Sequence, residues 1–223
     1  MLKQTACKNT LILVGADKGG VGKTTLARTI IDYMAAYPSS CRLFDTEPGI
    51  GVLKRFYPPA ETVNPTDPLD LAKIIDGLDK SRVTVVDIRA GLLTPTLNSL
   101  RRIGLKHGSE THVAVFHVIG NTIASRAEVA AMAALLKDNG DHIVVKNHAT
   151  PETHFEPVEA TAETVEIDFL DTAAADNVDA RSQTFINYCN DPKNSRTLRG
   201  LVKAWHTDNV ASLDRIGLKN IIT

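Results

Sequence analysis

The chain has 223 residues, 25 basic and 26 acidic side chains for a formal net charge of −1, and 43% hydrophobic residues. This length allows one large α/β domain, expected over residues 1–223, and the charge balance excludes a basic surface spread over the whole molecule, so any such surface is local. No apolar run reaches the roughly 20 residues that span a bilayer, and Cys7, Cys41 and Cys189 are too scattered for a disulfide framework, a zinc site or an iron–sulfur site, which fits a reducing cytoplasm.

NTLILVG (9–15) is a continuous apolar run that reads as a buried strand, followed by glycines and then by KTTLARTIIDYMAAY (23–37), apolar at helical spacing. CRLFD (41–45) reads as a second strand ending in an acid, and the proline-rich YPPAETVNPTDPLD (57–70) as a surface connection. RVTVVDIRAG (82–91) is a third strand that ends in Asp87 and runs into a loop. THVAVFHVIG (111–120), DHIVVKN (141–147) and ETVEIDFL (163–170) are further strands, with the amphipathic helix IASRAEVAAMAALLKDNG (123–140) between the first two. A mainly helical part begins at about residue 172. Strands alternating with helices predict a mostly parallel, twisted sheet flanked by helices on both faces, with ligands at the carboxyl ends of the strands.

GADKGGVGKTT (15–25) sits between the first strand and the first helix, where a phosphate loop belongs. Its glycines let backbone N–H groups converge on an anion, and the helix starting near Gly22 adds its positive end. Lys23 is placed to reach β- and γ-phosphates, the Thr24 hydroxyl to ligate Mg²⁺, and Thr25 to meet a more distant phosphate. The pattern G-x-x-x-x-G-K-[ST] is broken at Asp17, where its first glycine would stand, and Lys18 is a second lysine the ordinary loop does not need.

KGGVGKTT (18–25) resembles the deviant Walker A motif of the ParA/MinD family of P-loop ATPases, and the chain looks nearest to small plasmid-type partition and transfer members. The resemblance implies that Lys18 acts in trans on the phosphates of a partner subunit's nucleotide, while Lys23 acts in cis within a cradle of Gly19, Gly20, Val21, Gly22, Thr24 and Thr25. LFDTEPGIG (43–51) resembles the family's switch I segment D-x-D-P, with Glu47 in place of the second aspartate. By that match Asp45 organises Mg²⁺ and its waters and Glu47 orients the attacking water; the alternative is that both acids cap a turn before Pro48.

VTVVDIRAG (83–91) has the form of a Walker B strand, whose Asp87 holds Mg²⁺ through water. The family continues D-x-P-P-G, whereas here Arg89 and Ala90 replace the prolines and Gly91 keeps the place that senses a γ-phosphate. Arg89 is either a phosphate sensor or a surface arginine. Asn147, ending VVKN (144–147), matches the family's adenine-contacting asparagine, or serves as a turn residue. His142, His148 and His154 read as scattered loop residues and not as a metal site.

The resemblance implies ATP and Mg²⁺ as ligands, slow and partner-stimulated hydrolysis, an ATP-bound homodimer, and a role in DNA segregation, plasmid partition or maintenance, or conjugative transfer through a separate DNA-site adaptor protein. Such a protein is cytoplasmic, and nucleoid-associated if it binds DNA. Candidate contacts to nonspecific DNA are Arg101, Arg102 and Lys106 on one helix, and Lys193, Arg196, Arg199 and Lys203, whose spacing forms one helical stripe or simply a solvated face. SLDRIGLKNIIT (212–223) lacks the large aromatic anchors of an interfacial helix, which makes membrane binding the weaker option. Two alternatives stay open: a MinD-like positioning ATPase at a membrane, and a metabolic P-loop enzyme acting on a small molecule.

Overall fold

Strand β1 (Asn9–Gly15) is buried at every position, as its unbroken apolar run requires when helices cover both faces of a sheet. Its successive side chains enter opposite cores, Ile12 and Val14 one, Leu11 and Leu13 the other. The computed structural model describes residues 1–3, 7–49, 51–105, 107–108, 110–137, 139–151, 153–155 and 163–223. Among them, β1 joins β2 (Cys41–Asp45), β3 (Glu61–Thr62), β4 (Val83–Asp87), β5 (Thr111–Ile119), β6 (Asp141–Asn147) and β7 (Glu163–Ile167) in a sheet of order β3-β2-β4-β1-β5-β6-β7. Every pairing is parallel, so the sheet expected to be mostly parallel is wholly so in its described strands.

Eight α-helices are described: α1 (Lys23–Met34), α2 (Pro68–Ile75), α3 (Leu93–Arg102), α4 (Ile123–Leu136), α5 (Thr172–Arg181), α6 (Phe185–Asn190), α7 (Arg196–Arg215) and α8 (Lys219–Ile222). Leu26 and Ile30 of α1, Val202 and Trp205 of α7 and Ile221 of α8 fill the core on one face of the sheet. Leu71 of α2, Leu97 and Leu100 of α3 and Met132 of α4 fill the other. Each such side chain contributes roughly 1.5–3 kcal/mol relative to exposure. The helical part begins at Thr172, where the sequence places it.

The segment 57–70 is more than a surface connection. Glu61 and Thr62 pair with Phe44 and Asp45 at the sheet edge, and Ala60 and Val63 are buried. Pro68 is the first residue of α2, with Asp67 capping it by accepting from the Leu69 and Asp70 N–H groups. Two residues are too few to show a strand period, and proline at a helix start is indistinguishable in composition from proline in a turn. The strand expected over 163–170 ends at Ile167.

Both basic groups depart from expectation. The helix carrying Arg101 and Arg102 stops there, because Gly104 takes a positive φ of 75° and the Gly104 and Leu105 N–H groups bond back to the Arg101 and Leu100 carbonyls. Lys106 lies outside the described residues. Lys193 precedes α7, in a turn where its N–H donates to Asp191, and the helix begins only after the Ser195 cap. Only Arg196, Arg199 and Lys203 of that group therefore share a helix.

The crossover from β1 leads to β2 on one side, while that from β4 leads past β1 to β5 on the other. Connections that part in this way open a crevice at the carboxyl ends of β1 and β4.

Candidate functional site at the carboxyl ends of β1, β2 and β4

Register places the two candidate metal acids side by side: Asp45 is paired with Asp87 across β2 and β4, and Asp87 with Val14 across β4 and β1. The glycine loop leaves β1 immediately beyond Val14, so loop and acids meet at one end of the sheet. A cleft of about 280 Å³ forms there, lined by Gly19, Gly20, Gly22, Lys23, Thr24, Thr25, Asp45, Glu47, Val52, Asp87, Arg89 and Ala90. Three stretches of chain, 19–25, 45–52 and 87–90, thus line one cleft. Lys18 is exposed and outside this lining, Val21 is buried in the core, and Gly91 stands just past the lining with a φ of 78°.

Gly22 begins α1 with a φ of 91°, and a Cβ there would collide with the Asn147 amide. That amide donates to the Val21 carbonyl at 3.0 Å, so Asn147 braces the loop from the end of β6. The Lys23 ammonium donates to the Lys18 carbonyl at 3.0 Å. Burial lowers its pKa, and the carboxylates of Asp87, Glu47, Glu128 and Asp17 oppose that shift. The Thr24 hydroxyl donates to Asp87 Oδ2 at 2.7 Å. Burial pushes the Asp87 carboxyl up to about 7 against the pull of that bond. A hydroxyl and a buried carboxylate at this distance are hard oxygen donors that suit a divalent cation such as Mg²⁺, whose charge would hold Asp87 ionised.

Asp45 is already engaged by its own loop: Oδ1 accepts from the Glu47 N–H at 2.8 Å and Oδ2 from the Lys54 N–H at 3.0 Å. Its turn-capping reading thus has direct contacts, and capping leaves further lone pairs on both oxygens. Glu47 is half-buried in the cleft wall.

Three features had no usable signal in the sequence. Thr46 N–H and Oγ1 both donate to the Asp87 carbonyl, at 3.0 and 3.1 Å, and the same hydroxyl accepts from the Arg89 N–H at 2.7 Å, bracketing the two switch segments together. Asp17 accepts from the Thr94 hydroxyl at 2.5 Å and the Thr94 N–H at 3.3 Å, capping the start of α3. Glu128 of α4 lies against the loop: burial and the Asp17 carboxylate raise its pKa, while the Asp17 and Lys18 backbone N–H groups lower it.

A second cleft, of about 320 Å³, shares Thr25 with the first and continues past Arg28, Asn147, Asp168, Phe169 and Trp205. The Arg28 guanidinium is buried between the Phe56 and Phe185 rings, 3.5 and 4.1 Å from their centroids, and donates to the Gln183 carbonyl.

No protein-family model matches the sequence, and no curated protein matches it. Solved structures do match. MinD of Aquifex aeolicus aligns with 16% identity over 88% of this chain and 95% of its own, with TM-scores of 0.54 in a MinC:MinD cell division complex and 0.52 alone. MinD of Pyrococcus horikoshii, a septum site-determining protein complexed with Mg-ADP, aligns with 13% identity over 92% of this chain and 98% of its own, at a TM-score of 0.52. With its parallel sheet flanked by helices and its loop at the end of β1, the chain has the fold of the MinD-type P-loop ATPases.

Proposed function

We infer that the chain binds ATP with Mg²⁺, hydrolyses it slowly, and works as a nucleotide-dependent homodimer in DNA segregation, plasmid partition or maintenance, or conjugative transfer, with an adaptor protein that selects the DNA site. The observation that carries the chemistry is the Thr24–Asp87 bond at the floor of a glycine cradle that also holds Lys23. The loop N–H groups and Lys23 bind the β- and γ-phosphates. Thr24 and Asp87 hold Mg²⁺, with Asp45 beside them; when bound, the metal neutralises charge on the phosphate oxygens. Glu47 orients the attacking water and accepts its proton. Thr25 lines both clefts, which supports the second as the site of the ribose and base, with the Asn147 side-chain amide as the contact to the adenine edge.

Lys18 supports the dimer. It is exposed and outside its own cleft, a position from which a lysine can serve another subunit's phosphates. For the membrane alternative, the apolar side chains of the last segment tell against an exposed anchor: Leu218, Ile221 and Ile222 are fully buried in the core. Among the described residues no helix is long and apolar enough to cross a membrane.

Sedimentation with and without ATP, on the wild type, Thr24→Ala and Lys18→Ala, tests the reading. The wild type is expected to dimerise with ATP and hydrolyse it, Thr24→Ala to lose Mg²⁺-dependent binding and turnover, and Lys18→Ala to bind ATP while losing ATP-dependent dimerisation. A wild type that stays monomeric with ATP and turns over a small-molecule phosphate acceptor would support the metabolic alternative instead.

A further inference from the structure

Arg89 stands where the family resemblance leads one to expect a proline, at the start of the loop after β4. Its backbone is fixed: its N–H donates to Thr46 Oγ1 at 2.7 Å, and its carbonyl accepts from the Leu92 N–H at 3.2 Å. It lines the same phosphate cleft as Lys23, Glu47 and Asp87. It is exposed, and among the described residues the guanidinium makes no hydrogen bond or ion pair with either neighbouring carboxylate. A cation held by the backbone but unpaired at its head is arranged to receive an anion that enters the cleft.

The charges in the cleft point the same way. Three carboxylates, Asp45, Glu47 and Asp87, face a single lysine, and that lysine is directed to its own loop at the Lys18 carbonyl. A triphosphate entering the cleft adds further negative charge. A planar guanidinium there matches two phosphate oxygens at once, which an ammonium does not.

We propose that Arg89 is a catalytic residue acting in cis, its guanidinium binding the γ-phosphoryl oxygens of a nucleoside triphosphate and stabilising them during transfer to water. This rests on the ATPase reading above. The water oxygen bonds to the γ-phosphorus as the bond to the β–γ bridging oxygen breaks. The leaving electron pair stays on the β-phosphate of the diphosphate product, and the proton from water passes to Glu47 and then to solvent or inorganic phosphate. Arg89 meets charge on the γ-phosphoryl oxygens throughout, and a diphosphate offers it no such partner. It therefore also discriminates triphosphate from diphosphate, a task the Lys23 cradle performs poorly because it contacts both.

The test measures kcat and KM for ATP, together with equilibrium binding of ADP and of a non-hydrolysable ATP analogue, for the wild type, Arg89→Ala and Arg89→Lys. The side chain is exposed, so truncation leaves the core intact. Arg89→Ala is expected to lower kcat about 100-fold or more, to weaken the analogue several-fold and to leave ADP affinity within about twofold; Arg89→Lys should recover part of the analogue affinity but little of kcat. The aluminium fluoride–ADP complex should form on the wild type and fail on Arg89→Ala. Equal losses for ADP and analogue would overturn the proposal in favour of a bracing role for the loop, and so would an unchanged kcat. A wild type that binds neither nucleotide would overturn the ATPase reading itself and this inference with it, whereas a wild type that turns over ATP alongside an unimpaired Arg89→Ala overturns this inference alone.

Discussion

Asp17 shows how a residue next to a phosphate loop can serve something other than phosphate. Its carboxylate is turned to Thr94, where it satisfies the N–H and hydroxyl at the start of α3, a helix whose own preceding residue, Leu92, cannot cap it. That helix follows the segment containing Arg89, so the bond ties the Lys18-bearing loop to the helix after β4. Loss of a cap costs about 1 kcal/mol. Asp17→Ala is accordingly expected to lower the urea-unfolding free energy by that order, and Asp17→Asn, which keeps one acceptor, by less. Equal stability of Asp17→Ala and wild type in urea titrations would mean that the cap contributes nothing. The loop itself was legible because its signal is local: strand, glycines, G-K-T-T and helix lie within one short stretch. The partner of Asp17 was not, because it lies 77 residues away and no periodicity links the two.

At the scale of elements, strands were legible wherever burial on both faces imposes a continuous apolar run, as in β1, β4 and β5. The polar residues inside those runs were not interpretable, and the histidines of β5 and β6 are the clearest case. His117 is fully buried, its Nδ1 lies 3.3 Å from His142 Nε2, and the rings stack at 5.5 Å. A hydrogen bond between two imidazoles needs one donor and one acceptor, so at least one of the two rings is neutral. Burial pushes both down to about 4, His117 further hindered by His142 and helped by Asp17. Glu128 is also near, 3.7 Å from His117 Nε2. Unfolded histidine titrates near 6.5, so between about 6.5 and 4 the unfolded chain binds more protons and stability rises with pH. The contribution is complete above the unfolded value and lost as the pH falls towards 4. Urea midpoints from pH 7.5 to 4.5 should fall less steeply in His117→Gln than in the wild type; parallel slopes would show that His117 is not held neutral in the fold.

At the scale of the whole molecule, the sheet divides the two basic groups. Arg101 and Arg102 end α3, on the face covered by α2, α3 and α4, whereas Arg196, Arg199 and Lys203 lie on α7, against the opposite face. The sequence shows cations at helical spacing but not which face of a sheet a helix will cover, since that depends on crossovers far along the chain. One chain therefore does not merge these groups into a single patch, and under the proposed function a DNA contact would be made by one of them or by one from each subunit of the proposed dimer. Within the α7 group, Arg199 is half-buried and its guanidinium donates to the Cys189 carbonyl at 3.4 Å, which leaves Arg196 and Lys203 on the helix, with Lys193 just before it, as the exposed cations. Among the described residues that cluster has three exposed cations against two on α3, and it is the one expected to bind. Removing one cation that neutralises a phosphate takes roughly 0.9 off the slope of log K against log salt. Arg196→Glu with Lys203→Glu should therefore reduce that slope by about 2 and weaken ATP-dependent binding to nonspecific duplex DNA at least tenfold, while Arg101→Glu with Arg102→Glu leaves both unchanged. The opposite pattern would move the contact to the α3 face; equal, small losses in both pairs would mean that neither helix touches phosphate and that DNA is not the surface on which this fold acts.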